Sequence, residues 1–492
     1  MKKFRRIIRI LIITVICFVG LLLFNNFQFT SKQIDVPLIA PIEIDKAAIH
    51  HFAEAITIKT VSHENPKDFD SLAFYKFNHF LKQNYPFADS LLNKKTFNSF
   101  SHLYTWDGTD PSLKPIILMA HLDVVPVIKE NLPDWKHPPF GGKIVNDTLW
   151  GRGSIDDKNG VIGIMESVEL LLKQEFKPLR SIYIAFGHDE EIGGKKGAQA
   201  MASYLKEKEV SAKFVLDEGG SIIQGLVPGI TKDAAMIGIA EKGFLSLKLS
   251  LKIEGGHSSM PEEETAIDVM ATAITKIKNN PFPARLSGPM KGFIEHYGPE
   301  MPSGIKLIFA NSWLFGGLIK KNFGSSGSGN ALLRTTIAPT VFNSGVKDNI
   351  IPLFANATVN FRIAPNTSIN EVIAHVKESI NDPRIKITKG DFYSEASKVS
   401  SVESFGYKTI ERTIAETMPK TLIGPYLVVG ATDSRHYKAI TEAVYQFSPN
   451  KINSGNVKSF HGLNERISVH EFNNGIRFYV QLIKNSSKKE LF

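Results

Sequence analysis

The chain has 492 residues, more than one compact domain of ordinary size, so two domains with additions are expected. Its 43% hydrophobic and 22% charged residues are an ordinary globular composition, with ample material for a core. Of the net charge of +9, five positives (Lys2, Lys3, Arg5, Arg6 and Arg9) sit at the extreme N-terminus and leave +4 for the rest. No basic stripe is interleaved with aromatics, so no nucleic-acid partner is expected. The single cysteine, Cys17, lies in the apolar N-terminal segment, which excludes a disulfide framework and a thiol ligand in the globular part. Any metal chemistry there falls to His and Asp/Glu.

In chain order, the basic tip is followed by an apolar run from Ile7 to Phe24 interrupted by Arg9. Its core, Ile10–Phe24, is slightly short of the ~20 residues a spanning helix needs, and ends and tilt supply the rest. Asn25–Thr30 offers no clear small-residue cleavage site. An uncleaved membrane anchor is expected, with secretion after signal cleavage as the alternative. The positive-inside rule puts the tip in the cytoplasm and everything after residue 25 on the exported side.

A polar, Pro-containing stalk (31–44) leads to helical spacing at Ile49, Phe52, Ala53 and Ile56. From 115 to 220, apolar runs alternate with helical patterns over Asn159–Leu172 and Gly197–Lys206, which predicts βαβ units and a mainly parallel sheet. The texture changes near Glu241. Phe244–Ile253 alternates as a half-exposed antiparallel strand does, and a helix follows with Ala266, Ile267, Met270, Ile274 and Ile277 on one face. The acids Glu262–Glu264 are placed in its first turn, where they favour the helix dipole. Pro352–Ala364 reads as a further strand, and Ser368 with Glu371 as a capping box for a helix through Ile380. Between these units an insertion (about 281–340) carries the apolar run IKLIFANSWLFGGLI, a loop-and-helix flap of unassigned role. Helices over Phe405–Glu416 and Val469–Ile483 and strands over Leu427–Ala431 and Ala443–Phe447 return the chain to its first domain; the last residues, 485–492, read as frayed.

Acids and a histidine follow the apolar runs. His121 and Asp123 follow IILMA, Glu190 and Glu191 follow IYIAF, and Asp217 follows KFVL. In open α/β sheets the ligand site lies outside the carboxyl ends of the strands. So many carboxylates gathered in one crevice repel unless cations hold them together. His121-Leu-Asp123 suits a ligating imidazole whose other nitrogen is held by the carboxylate. Asp156 and Asp157 sit in a Gly-rich turn before a helix, where helix capping is the plainer reading. Adjacent Glu190 and Glu191, facing different ways, would let one bind metal and the other act as a base. Each feature is weak alone; their joint order, each at a predicted strand or turn end, is not.

The combined pattern HLDVVP, W-x-x-P-P-F, LWGRGSIDDK, DEEIGG, DEGG, GGHSSMP, NFRIAP and FHGLNE spans nearly all of 45–480. It resembles the two-zinc metallopeptidases that include carboxypeptidase S, aminoacylase and bacterial glutamate carboxypeptidase. The DEGG and GRGSIDDK versions look most like the branch of carboxypeptidase S and the N-fatty-acyl-amino-acid hydrolases. The resemblance implies that Asp156 bridges two Zn2+ ions, with Co2+ or Mn2+ as alternatives. His121 and Asp217 complete one site, Glu191 and His461 the other. A bridging water loses its proton to Glu190, the general base, and Asp123 orients His121. His257 matches a family histidine that reaches across a homodimer to the scissile carbonyl. Asn349 and Arg362, thirteen residues apart, with Gly430 and Arg435, match contacts to a substrate carboxylate.

The expected fold is thus α/β: a catalytic domain from 45–240 and 400–492, an inserted ferredoxin-like α+β lid and dimerisation domain at 241–399, and an N-terminal anchor over 1–30. The expected reaction is cleavage of an amide beside a free carboxylate, as a carboxypeptidase or dipeptidase. The alternative is hydrolysis, or reversible synthesis, of N-acyl amino acids, which the apolar insertion favours if it lines the pocket. A scaffold or binding protein that kept the fold would lack part of the ligand and base set, and all of it is present.

Overall fold

A computed structural model describes residues 2–40 and 42–489. The larger sheet runs Asn93–Phe97, Ser101–Trp106, Ile182–Gly187, Ile116–His121, Phe214–Asp217, Val444–Gln446, Ala234–Glu241, Ile222–Ile223, Lys451–Ile452, with Leu422–Val428 also on Ala234–Glu241. The sheet is mixed, with five parallel and four antiparallel pairings among the described residues. Ile116–His121 is parallel to both neighbours, and Val444–Gln446 is parallel to Phe214–Asp217. Ser101–Trp106 is antiparallel to Asn93–Phe97 and to Ile182–Gly187, and Ile222–Ile223 is antiparallel to Ala234–Glu241. A three-residue turn joins the first pair, and only an antiparallel pairing tolerates so short a link.

Helices cover both faces. Ala47–Thr57, Lys158–Lys173, Phe405–Thr417 and Val469–Ser486 close the main core, around residues such as Phe52, Ile164, Tyr407 and Phe478. Ala198–Glu207 covers the other face through Ala198, Met201 and Leu205. The register brings His121 level with Gly187, and Leu118 level with both Ile184 and Leu216. The carboxyl ends of these three strands therefore open on one crevice. The C-terminal helix does not fray at Asn485, which is buried and donates to Thr413 and Glu416; its last turn also receives the Arg180 guanidinium. Residues 490–492 lie outside the described ones.

A second unit has its own core. Its antiparallel sheet runs Thr336–Ser344, Phe354–Ile363, Gly243–Lys252, Lys386–Ser394. Alternate residues Leu245, Leu247, Leu249 and Leu251 meet helices Ala266–Asn279 and Ile369–Ile380. The Ser368–Glu371 capping box is present. The other helix begins on Thr265 with a capping box to Asp268, so Glu262–Glu264 precede it and do not form its first turn.

The insertion folds into helices Gly288–Tyr297, Ser303–Ala310, Ser312–Gly324 and Gly327–Leu333. They form a separate apolar cluster with Ala234, Met236 and Leu422. Lys2–Gln28 is one continuous helix, long and apolar enough to cross a membrane, with no buried residue. The segment read as a stalk lies against the body. Gln33 bonds the backbone of His296 and Ile423, and Arg477 bonds the Ile42 carbonyl.

Candidate metal centre

Asp156 is the hub. His121 Nε2 lies 2.9 Å from its Oδ1 and His461 Nε2 lies 3.1 Å from its Oδ2. Glu191 Oε2 is 3.3 Å from the same His461 nitrogen. Two groups of donor atoms converge within 4.8 Å: His121, Asp156 and Glu218, and Asp156, Glu191 and His461. Asp156 belongs to both.

Backbone and buried hydrogen bonds hold each member. His121 Nδ1 sits 2.9 Å from the Asp123 carbonyl oxygen and 3.4 Å from its carboxylate, which leaves Nε2 facing Asp156. The Asp123 carboxylate accepts from Ser62 Oγ at 2.5 Å and from the Glu190 and Glu191 amides at 3.2 and 3.1 Å. One buried carboxylate therefore positions the histidine and the turn bearing both glutamates. The loop carrying Asp156 wraps around Glu465, whose carboxylate accepts from the amides of Gly153, Ile155 and Asp156 and from Arg152 Nη1 at 2.6 Å. Gly194 follows the glutamates at φ +65°, and a Cβ there would sit 1.9 Å from Asp433 Oδ1, so no larger residue fits.

Asp217 is not in either group of converging donors. It is the last residue of its strand, pairs with Gln446, and turns its carboxylate onto the Ser434 amide at 2.7 Å. Successive side chains of an extended chain face opposite ways. The next residue, Glu218, is the one whose oxygen converges with His121 and Asp156. Glu218 was within the DEGG motif, but nothing local distinguishes its two acids.

The electrostatics call for cations. Burial raises the Glu218 carboxyl well above the usual range, and Asp156 and Asp157 add to it. Burial likewise raises Glu190, with Asp433 and Glu191 contributing and His121 and Arg435 opposing. Burial would also raise Asp156, but the hydrogen bonds of His121 and His461 outweigh it and hold it low. His461 is pushed up to about 10 by its bonds to Asp156 and Glu191. Both carboxylate oxygens of Asp157, Oε1 of Glu191 and Oδ1 of Asp433 are buried without a hydrogen-bond partner among the described residues. A crowded, thiol-free set of imidazole and carboxylate donors fits Zn2+ or a similar divalent ion.

Glu190 belongs to neither donor group; Arg435 Nη1 stands 3.9 Å from its Oε1. Arg435 also lies over the Phe392 ring and lines a cleft of about 970 Å³ between the two units, with Gly193, Glu241, His436 and Asn370. No residue of 281–340 lines that cleft. His257 and Asn349 are neighbours on an exposed two-stranded ribbon, Gly256–His257 against Ile350–Ile351, where the Ser258 amide donates to Asn349. His257 bonds Ser259 and is not brought to Asp156 within this chain. Arg362 is stacked 4.8 Å from the Phe244 ring in the second unit. Gly430 follows Leu422–Val428, with open space where a side chain would be.

Residues 117–485 match the profile of Peptidase family M20/M25/M40. The chain belongs to this family. A Dictyostelium discoideum protein named "Probable carboxypeptidase S-like 2" is 41% identical over 98% of this chain and 94% of its own length. The N-fatty-acyl-amino acid synthase/hydrolase PM20D1 of Xenopus tropicalis is 38% identical over 90% of this chain and 86% of its own. Carboxypeptidase S of Saccharomyces cerevisiae is 30% identical over 89% and 84%. Among solved structures, an M20 family metallo-carboxypeptidase from Sulfolobus solfataricus superposes with TM-score 0.65 over 90% of this chain and all of that one, at 17% identity. This M20 chain is accordingly an α/β metallopeptidase in fold and family.

Proposed function

We propose that this protein is a two-zinc amide hydrolase that removes a C-terminal amino acid from short peptides. The observation that carries the reading is Asp156, held between His121 and His461, with Glu190 next in sequence to Glu191, which shares the second donor group. His121, Asp156 and Glu218 would hold one ion, and Asp156, Glu191 and His461 the other. Bound zinc would acidify the attacking water and polarise the scissile carbonyl. Glu190 takes the proton as the water oxygen adds to the carbonyl carbon. It delivers that proton to the amide nitrogen as the C–N bond breaks, giving a carboxylate and a free amine. The burial that raises the Glu190 carboxyl suits a group that must both take and return a proton.

Arg362, Asn349, Gly430 and Arg435 are proposed to meet the substrate carboxylate, and His257 the developing oxyanion. The exposed ribbon of His257 and Asn349 fits a role across a homodimer, with the second unit as lid and dimerisation surface. The N-terminal helix is proposed as an anchor that leaves the catalytic body on the exported side.

The 38% identity to an N-fatty-acyl-amino acid synthase/hydrolase favours a second reading, in which the acyl side is a fatty chain. Both substrate classes present an amide next to a carboxylate. The test offers the enzyme dipeptides and N-acyl amino acids of graded chain length, with zinc and with a chelator. Zinc-dependent release of an amino acid from dipeptides supports the first reading. Preference for long acyl chains moves the assignment to the second. No release from either, with metal bound, defeats both.

A further inference from the structure

The insertion makes contacts that the peptidase chemistry does not require. Its two central helices, Ser303–Ala310 and Ser312–Gly324, form a hairpin against the C-terminal part of the long N-terminal helix. Asn25 Nδ2 donates to Asn311 Oδ1 at 2.8 Å, and Asn311 Nδ2 donates to the Leu22 carbonyl at 3.1 Å. The Phe18 and Trp313 rings meet edge to face, centroids 6.4 Å apart. Lys32 pairs with Glu295 at 2.7 Å, and Gln33 fastens the following segment to the body. The body is thus held at a set angle to the helix.

These contacts give the hairpin a depth. The apolar run ends at Phe24, and Phe18 is six residues earlier. At ~1.5 Å per residue, Phe18 lies about 9 Å inside the end of that run. Trp313 touches it there. The amide pair of Asn25 and Asn311 sits just beyond the end, where polar groups find water and headgroups. On the same hairpin Trp313, Leu314 and Leu318 are exposed at 61%, 41% and 44%, while Ile319 is buried against the body. Lys320 and Lys321 follow directly and have the length to reach back to headgroups. Helices that lie in a membrane interface bury an apolar face ~5–10 Å deep.

We propose that the hairpin 303–324 is a second membrane element, whose Trp313, Leu314 and Leu318 face enters the bilayer beside the anchor and seats the catalytic body on the lipid surface. This rests on the reading of Lys2–Gln28 as an anchor. The chosen occupant is lipid because the exposed face continues the flank of that apolar helix.

Full-length protein, reconstituted in phosphatidylcholine vesicles, tests it with two reporters. Trp313 fluorescence is taken as the difference between the parent and Trp313→Phe. Cys17, the only thiol, carries a nitrobenzoxadiazole label that reports the anchor. Lipid brominated near mid-chain should at least halve the Trp313 component, and aqueous iodide should leave it unchanged. Quenching by iodide and not by bromolipid overturns the proposal. Quenching by neither also overturns it and places protein, such as a second copy, over the face. If the Cys17 label is not reached by lipid, the anchor reading fails by itself, and the Trp313 signal still decides the hairpin.

Discussion

Two single substitutions separate the adjacent acids at the end of Phe214–Asp217. Glu218→Gln removes a charge from the group His121, Asp156 and Glu218. Taking one partner from a buried charged set costs roughly 3–5 kcal/mol, which is a hundredfold to several-thousand-fold in metal affinity; Gln keeps a neutral oxygen, so the lower end is expected. Asp217→Asn leaves an acceptor for the Ser434 amide, now 2.7 Å from the carboxylate. Partners behind metal ligands are worth about 10–100-fold in affinity, so Asp217→Asn should cost about tenfold. The metal-free protein gives a second readout. Burial, then Asp156 and Asp157, raises the Glu218 carboxyl, so Gln relieves a strained charge. Glu218→Gln should therefore melt higher than the parent in chelator and gain less on adding zinc. Competition with a zinc-binding dye and thermal melts with and without zinc measure both. If Asp217→Asn loses metal while Glu218→Gln binds as the parent does, the assignment of Glu218 is wrong.

Glu190→Gln should bind metal as the parent does and lose about 10²–10⁴ in kcat, checked by metal content beside turnover; activity at parental level would remove Glu190 as the base. Glu465→Ala strips a buried carboxylate from Arg152, itself 3% exposed, and from three amides of the Asp156 loop. It should cost about 3–5 kcal/mol in a denaturant titration in chelator and also weaken metal binding, since the loop loses its core. The hydrogen bond with Glu166 at 2.7 Å raises His51 above its usual value against the opposing effect of burial. A pKa raised in the folded state stabilises fully below the unfolded value, near ~6.5, and is lost as pH rises through the folded one. The pair is worth roughly 1 kcal/mol, so the melting gap between parent and His51→Gln should be wider at pH ~5.5 than at about pH 9. Equal gaps at both would contradict the pairing.

What was legible in the sequence is what short range decides. The apolar runs before His121 and Glu190 specify buried strands, and the chain must leave the sheet where the polar residues begin. The capping box at Ser368 and Glu371 needs only residues three apart. Asp217 and Glu218 are different. Either could face the crevice, and what holds the Asp217 carboxylate and backbone is Ser434 and Gln446, more than two hundred residues away. The mixed sheet has the same origin, because Ala234–Glu241 reads as a uniform apolar strand whichever way its neighbours run.

The insertion carries this furthest. Its apolar run invites a pocket reading, because an apolar helix must cover something. Its partners are Leu22 and Asn25 on one side and Met236 and Leu422 on the other, from segments far apart in the chain. Periodicity marks which face of Ser312–Gly324 is apolar, but not whether protein or lipid covers it. Buried Ile319 and exposed Leu318 are neighbours in sequence and opposite in fate. A helix with apolar residues on more than one face has more than one surface to cover, and the contacts at Asn311 and Ile319 set which of them the body covers.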